Sequence, residues 1–179
     1  ALPQDVQGWI YDYPLSFFEP KVHRIRQQMP DARELTDAIA ALKSAKRPAI
    51  IAGGGVQYAG AVKELTKFSE AANIPVIETI AGRANMLDEH ALNIGPVGVT
   101  GSDSGNWVAE RADVILSVGS RLQDFTTGSW TAFAQDAQFI SLNTARHAAG
   151  KHSALQLVVA AQLGLQDLMA VAFTLPPLP

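Results

Sequence analysis

The chain has 179 residues, of which 47% are hydrophobic and 17% charged, with a formal net charge of −3 and no cysteine. That length holds one ordinary domain with long tails, or at most two small ones, and the apolar share is enough for a core and too rich for disorder. The composition excludes disulfides, thiolate zinc sites and a cysteine nucleophile, and the absence of a basic run or of ~20 consecutive apolar residues argues against nucleic-acid and membrane partners.

Residues 1–5 show neither the basic start nor the apolar centre of a signal peptide, so a soluble, cytoplasmic protein is expected. Over the first thirty residues, Trp9, Tyr11, Tyr13, Phe17 and Phe18 fall within ten positions, interrupted by Pro14 and followed by Pro20. They fit neither the period of a strand nor that of a helix, and residues 1–30 read as an irregular arm. Its rings must lie against something, because a large exposed apolar patch is rarely tolerated. Two surfaces are open to them: the arm's own domain, or a neighbour outside this chain.

From residue 31 the pattern becomes regular. Asp31, with Glu34 three residues on, is placed to cap a helix whose apolar stripe is Leu35, Ala38, Ile39 and Leu42. That helix ends near Lys46. Arg47-Pro48-Ala49-Ile50-Ile51-Ala52 then reads as a short buried strand, closed at once by Gly53-Gly54-Gly55. Val62, Leu65, Phe68 and Ala72 form a second helical stripe that Asn73 ends. Residues 74–79 are the next strand and Ala81-Gly82-Arg83-Ala84 a loop. Gly95-Pro96-Val97-Gly98 and residues 101–105 carry loop signals, and residues 106–112 a short helix with Ser102 or Ser104 as its cap. Further strands are expected over residues 113–119, 139–143 and 155–159, and a last helix over 163–173. Residues 174–179, rich in proline, read as an exit linker after a domain spanning residues 31–173.

Strands alternating with helices predict an α/β fold: a doubly wound, Rossmann-like parallel sheet of about six strands with helices on both faces. Ligands in such sheets bind beyond the carboxyl ends of the strands, where the strand order reverses. The candidate binding residues are therefore Gly53, Gly54, Gly55, Thr79, Gly82, Gly119, Ser120, Arg121, Asp124 and Asn143.

The motifs themselves are sparing. The glycine run followed by Gly60 does not spell G-x-G-x-x-G, and no acidic residue closes a later strand on cue. Gly101-Ser102-Asp103-Ser104-Gly105 has an aspartate where a nucleophile elbow needs serine. The four histidines make no metal spacing, and His147 and His152 read as solvated loop residues. Glu78 and Asp124 both follow strand ends, so an acid/base pair is conceivable, although solvated loop carboxylates are commoner. Arg121, next to Asp124 and three hydroxyls, suits either anion binding or an ion pair that pins its own loop. No catalytic residue and no metal ligand is assigned.

Taken as a set, Arg47-Pro48 to Gly55, Ile74-Pro75-Val76, Ala112 to Asp124 and Phe139 to Asn143 resemble the central domain of thiamine-diphosphate-dependent enzymes, over roughly residues 31 to 173. Acetohydroxyacid synthases, pyruvate oxidases and oxalyl-CoA decarboxylases share this domain. Gln4-Asp5-Val6-Gln7, Tyr11-Asp12-Tyr13-Pro14, Phe17-Phe18, Val22-His23-Arg24-Ile25, Leu142-Asn143 and Gly150-Lys151-His152 are most similar to the trihydroxycyclohexane-dione hydrolases of myo-inositol catabolism. The resemblance implies a parent that opens a cyclic vicinal diketone by hydrolytic C–C cleavage, using thiamine diphosphate and Mg2+. It also implies flanking pyrimidine- and pyrophosphate-binding domains and a homo-oligomeric parent. Residues 1–6 resemble the last strand and exit of the preceding domain. The family's Gly-Asp-Gly magnesium motif does not occur here, so the chain alone is expected to be inactive and to bind no thiamine diphosphate. In some relatives the strand-end loops hold the ADP part of FAD or coenzyme A. Arg83 stands where lysine is common, and Asn143 where nucleotide-binding relatives usually carry aspartate.

Overall fold

The computed structural model describes residues 1–170. In chain order these form α1 (Ala32–Ser44), β1 (Pro48–Ala52), α2 (Gly55–Tyr58), α3 (Val62–Ala72), β2 (Val76–Glu78), β3 (Asn93–Pro96), α4 (Asp103–Arg111), β4 (Val114–Val118), α5 (Asp124–Thr127), β5 (Gln138–Leu142), α6 (Arg146–Ala149), β6 (Leu155–Leu157) and α7 (Ala161–Ala170). The six strands make one sheet in the order β3-β2-β1-β4-β5-β6, and every pairing is parallel. This is the expected doubly wound fold. The order reverses between β1 and β4, which pair over their full length from Pro48↔Val114 to Ala52↔Val118.

The side-chain period of two divides the sheet into two cores. Ile50, Ala52, Val76, Leu116, Val118, Ile140 and Leu142 point into one, which α1, α3 and α7 cover. Ile51, Ile77, Ile115 and Phe139 point into the other, under α4 and the segment carrying Leu122 and Phe133. Because both faces are covered, β1 needs no polar alternation, and all five of its residues are buried. Ile50 and Ile51 are fully inaccessible, each burial contributing about 1.5–3 kcal/mol.

The helix ends follow local chemistry. The Asp31 carboxylate accepts from the N–H groups of Arg33 at 2.8 Å and Glu34 at 3.4 Å, capping α1. Asn73 ends α3 in the left-handed conformation, at φ 53°. Ser102 caps α4 by accepting from Gly105 N–H at 3.1 Å, so that helix begins three residues earlier than expected.

Other expectations need correction. Gly95 and Pro96, read as the start of a loop, belong with Asn93 and Ile94 to β3 at the sheet edge. Their signal was hidden because an edge strand tolerates Gly95 and Pro96, which a central strand would not. Its register against β2 also slips, Val76 facing Asn93 and Ile77 facing Gly95. Residues 1–6 hold no strand; the first ordered turn is a 3-10 turn over Val6–Gly8. The end of the last expected helix and the proline-rich linker, residues 171–179, lie outside the described residues.

The aromatic part of the arm does not wrap its own domain. Trp9, Tyr11, Tyr13, Phe17 and Phe18 all remain more than half exposed. Tyr13 instead gathers Tyr11, Phe17 and Phe18 at centroid distances of 5.2, 4.7 and 6.1 Å. No helix among the described residues is long and apolar enough to cross a membrane.

Candidate functional site

Beyond the carboxyl ends of the strands lies an open crevice of about 1180 Å³. Gly54, Gly55, Thr79, Gly119, Ser120, Arg121 and Asn143 line it, together with Tyr58, Gln123, Phe125 and Thr144. Residues Ile25 to Gln28 of the arm form part of its wall. Seven of the ten candidate residues are thus brought together at one mouth. Gly53 and Gly82 lie beneath it, and Asp124 points elsewhere, accepting from Ser129 Oγ at 2.7 Å.

The glycines are required by close packing between loops. A Cβ on Gly53 would come within 2.5 Å of the Gly119 carbonyl oxygen, and one on Gly55 within 2.7 Å of Gly119 Cα. Gly119 has φ +61°, and a Cβ there would meet the Gly55 backbone at 2.7 Å. A Cβ on Gly82 would collide with the carbonyl of Ala52. Hydrogen bonds follow the same pattern. Gly53 N–H donates to Val118 O at 2.8 Å and Gly55 N–H to Gly119 O at 2.9 Å. Donors that a phosphate cradle would aim at a ligand are here spent on the neighbouring strand and loop.

The polar side chains are used in the same way. Thr79 Oγ1 accepts from Gly82 N–H at 3.1 Å, closing a 3-10 turn. Ser120 Oγ accepts from Leu122 N–H at 3.1 Å. Asn143 donates through Nδ2 to Ser120 O at 2.8 Å and accepts at Oδ1 from Ala145 N–H at 2.9 Å. Only an amide meets both demands, because a carboxylate cannot donate. The departure from aspartate at this position therefore has a local structural reason.

Arg121 is exposed and forms no ion pair among the described residues, so of its two readings the pair with Asp124 is not formed. Its carbonyl accepts from Lys151 Nζ at 2.6 Å. Glu78 and Asp124 do not act as a pair either. Glu78 is almost wholly buried, and its Oε1 accepts from Met86 N–H at 3.0 Å. Burial pushes its carboxyl above the ordinary range, opposed by the N–H groups of residues 84–86 and by Arg83. It anchors the loop after β2 rather than facing the crevice.

Several contributors escaped sequence reasoning. Asn85 Nδ2 reaches across to Gly53 O at 3.0 Å, and Gln57 Nε2 to Arg83 O at 2.7 Å, tying the loops after β1 and β2 together. No motif marks such residues; their partners are 32 and 26 positions away. His152 is exposed, as expected of a loop residue, and its ring also stacks on Trp130 with centroids 4.2 Å apart and planes 8° from parallel.

Among the described residues, the charged side chains on the crevice wall are Arg26 and Arg121, and no carboxylate lines it. Among the described residues no group of three His, Cys, Asp or Glu side chains is placed to hold a metal. A magnesium diphosphate needs hard oxygen ligands, so this donor set does not fit thiamine diphosphate with its metal.

The strand order and the crevice at its reversal define a doubly wound α/β domain of the ligand-crevice type. Residues 35–168 match the family described as thiamine pyrophosphate enzyme, central domain, and the chain belongs to that family. It is 44% identical over 169 residues to the 3D-(3,5/4)-trihydroxycyclohexane-1,2-dione hydrolase of Clostridium tetani, and 42% over 166 residues to that of Geobacillus thermodenitrificans. A Bacillus cereus protein of the same description is 40% identical over 170 residues. These matches cover 93–94% of this chain but 26% of each relative, so the chain spans about a quarter of their length.

Proposed function

We propose that this chain is the non-catalytic central scaffold of a thiamine-diphosphate enzyme whose whole polypeptide hydrolytically opens a cyclic 1,2-dione in inositol catabolism. The relatives' description supports the substrate class. The observation that carries the scaffolding role is the interlock of the strand-end loops. The N–H groups of Gly53, Gly55 and Gly119 and the side chains of Thr79, Ser120 and Asn143 are bonded within the protein, and no carboxylate among the described residues lines the crevice. The chain's own residues then supply rigidity and position, while thiamine diphosphate and Mg2+ are held by pyrimidine- and pyrophosphate-binding domains elsewhere in a homo-oligomeric, cytoplasmic parent. The cofactor supplies the carbanion chemistry when bound there.

One observation favours a second reading. Arg121 is a cation without an ion-pair partner among the described residues, on the wall of a roomy crevice beside the exposed side chains of Tyr58 and Phe125. That combination suits an adenine nucleotide, as the ADP part of FAD or coenzyme A, with Gly54, Gly55, Gly119 and Ser120 against it.

Calorimetry tests the first reading. The scaffold reading expects no thiamine-diphosphate binding to the 179-residue chain with Mg2+ present, and tight magnesium-dependent binding would overturn it. Thermal-shift titration with ADP, FAD and coenzyme A tests the second reading. A ligand at ~100 times its Kd adds about 2.7 kcal/mol, a shift of several degrees for a domain of this size.

A further inference from the structure

The N-terminal arm exposes a dense run of large apolar side chains. Within residues 9–25, Trp9, Ile10, Tyr11, Tyr13, Leu15, Phe17, Phe18, Val22 and Ile25 are all more than half exposed. An aromatic side chain can bury 150–250 Å², so the five rings alone leave on the order of 600 Å² of apolar surface uncovered. That already meets the largest patch of a typical monomer and approaches the ~800 Å² per partner of a standard interface. The rings are also organised: Tyr13, Phe17 and Phe18 pack edge-on or tilted, and a 3-10 turn over Leu15–Phe18 fixes the spacing of the last two. Lys21 and Arg24 follow after Glu19 and Pro20 and have no hydrogen-bond or ion-pair partner among the described residues.

The relatives indicate what kind of surface the arm meets. Their match covers at least 166 of the 179 residues, leaving 13 outside, so more than half of the thirty-residue arm is shared with them. About three-quarters of each relative's length lies beyond the matched stretch. Chain that carries this arm is therefore accompanied, in the relatives, by ample further chain to receive it.

We propose that residues 9–24 are a docking strap, whose ring cluster seats on a companion domain of the same, longer polypeptide, on an apolar face with carboxylates opposite Lys21 and Arg24. The strap rests on the central-domain reading only for the existence of a companion. Because Ile25 to Gln28 line the crevice and residue 31 caps α1, seating the strap also fixes the crevice wall and the start of the first helix.

Amide hydrogen exchange across residues 9–26 provides the test, comparing the 179-residue chain with the product of the full reading frame. The expected result is near-unprotected exchange in the short chain and at least roughly 100-fold slower exchange in the full product. In the full product, Tyr13→Ser with Phe17→Ser and Phe18→Ser should return exchange to within about threefold of the short chain, while α1 and β1 stay protected. Lys21→Glu with Arg24→Glu, which keeps the rings, should forfeit roughly tenfold of the protection, more at low salt. Equal exchange in both proteins overturns the strap. Protection in the short chain that rises with its concentration overturns it in favour of a second copy of this chain. Protection that survives the charge variant overturns the carboxylate rim. Thiamine-diphosphate binding by the full product is read separately. A protected arm without cofactor binding sinks the scaffold function and keeps the strap, whereas cofactor binding with an unprotected arm sinks the strap alone.

Discussion

At the carboxyl ends of β1 and β4 the domain bonds Gly53, Gly55 and Gly119 to its own backbone, whereas over residues 9–25 it leaves nine large apolar side chains in water. The first region looks like a ligand site in sequence, and in the structure its glycines bring two loops into contact. Glycine there lets two loops touch, at approaches of 2.5–2.8 Å that no Cβ could occupy. The second has no recognisable motif, yet it holds the surface that most needs a partner. Special residues therefore mark where backbone must come close, and only burial tells whether the thing approaching is a ligand or the protein itself.

The comparison is most easily broken at Gly119. Gly119→Ala adds a Cβ against Gly55 at a residue whose φ is +61°. Strain and overpacking together should cost about 4 kcal/mol in denaturant unfolding. A loss below about 1 kcal/mol would show that the loops are not interlocked. The next largest effect is expected at Asn143. Asn143→Asp removes the donor to Ser120 O and places a carboxylate in a buried position, and should cost about 1–3 kcal/mol. If the variant were instead neutral and gained adenine-nucleotide affinity, the site would be a disused binding site rather than a joint.

Glu78 sharpens the same point through pH. Because burial raises its carboxyl above the ordinary value of 4.5, its contribution to stability is fully present below that pH. The contribution is lost as pH rises through the raised value. Glu78→Gln should therefore flatten this part of the profile, matching the parent protein in acid and gaining on it toward neutral pH. Urea midpoints measured across that range check the sign; a parent protein that gains on the variant as pH rises would mean the carboxylate form is the stabilised one. The smallest effect belongs to the arm. In the 179-residue chain, Phe17→Ser should change stability by no more than about 0.5 kcal/mol, because the ring is exposed. A cost above about 1 kcal/mol would mean that the arm packs on its own domain.

The alternation of strands and helices is legible from local pattern, because burial on both faces of a parallel sheet demands short apolar runs, and amphipathic helices must cover them. Asp31, Asn73 and Ser102 were legible as helix ends because capping acts within a few residues of the chain. The family was legible too, since the motifs that carry it lie along the strands and their closing loops. What the tertiary structure decided depends on partners far apart in sequence. Residues 93–96 become a strand only because β2 offers an edge, and Asn143 is an amide because two backbone groups converge on it. The glycines after β1 and β4 face each other only when those strands pair, which makes them a joint. Local propensity acts over a few residues, whereas close packing and hydrogen-bond satisfaction are settled between loops 20 to 70 positions apart, as for Asn85 with Gly53 and Gly119 with Gly55.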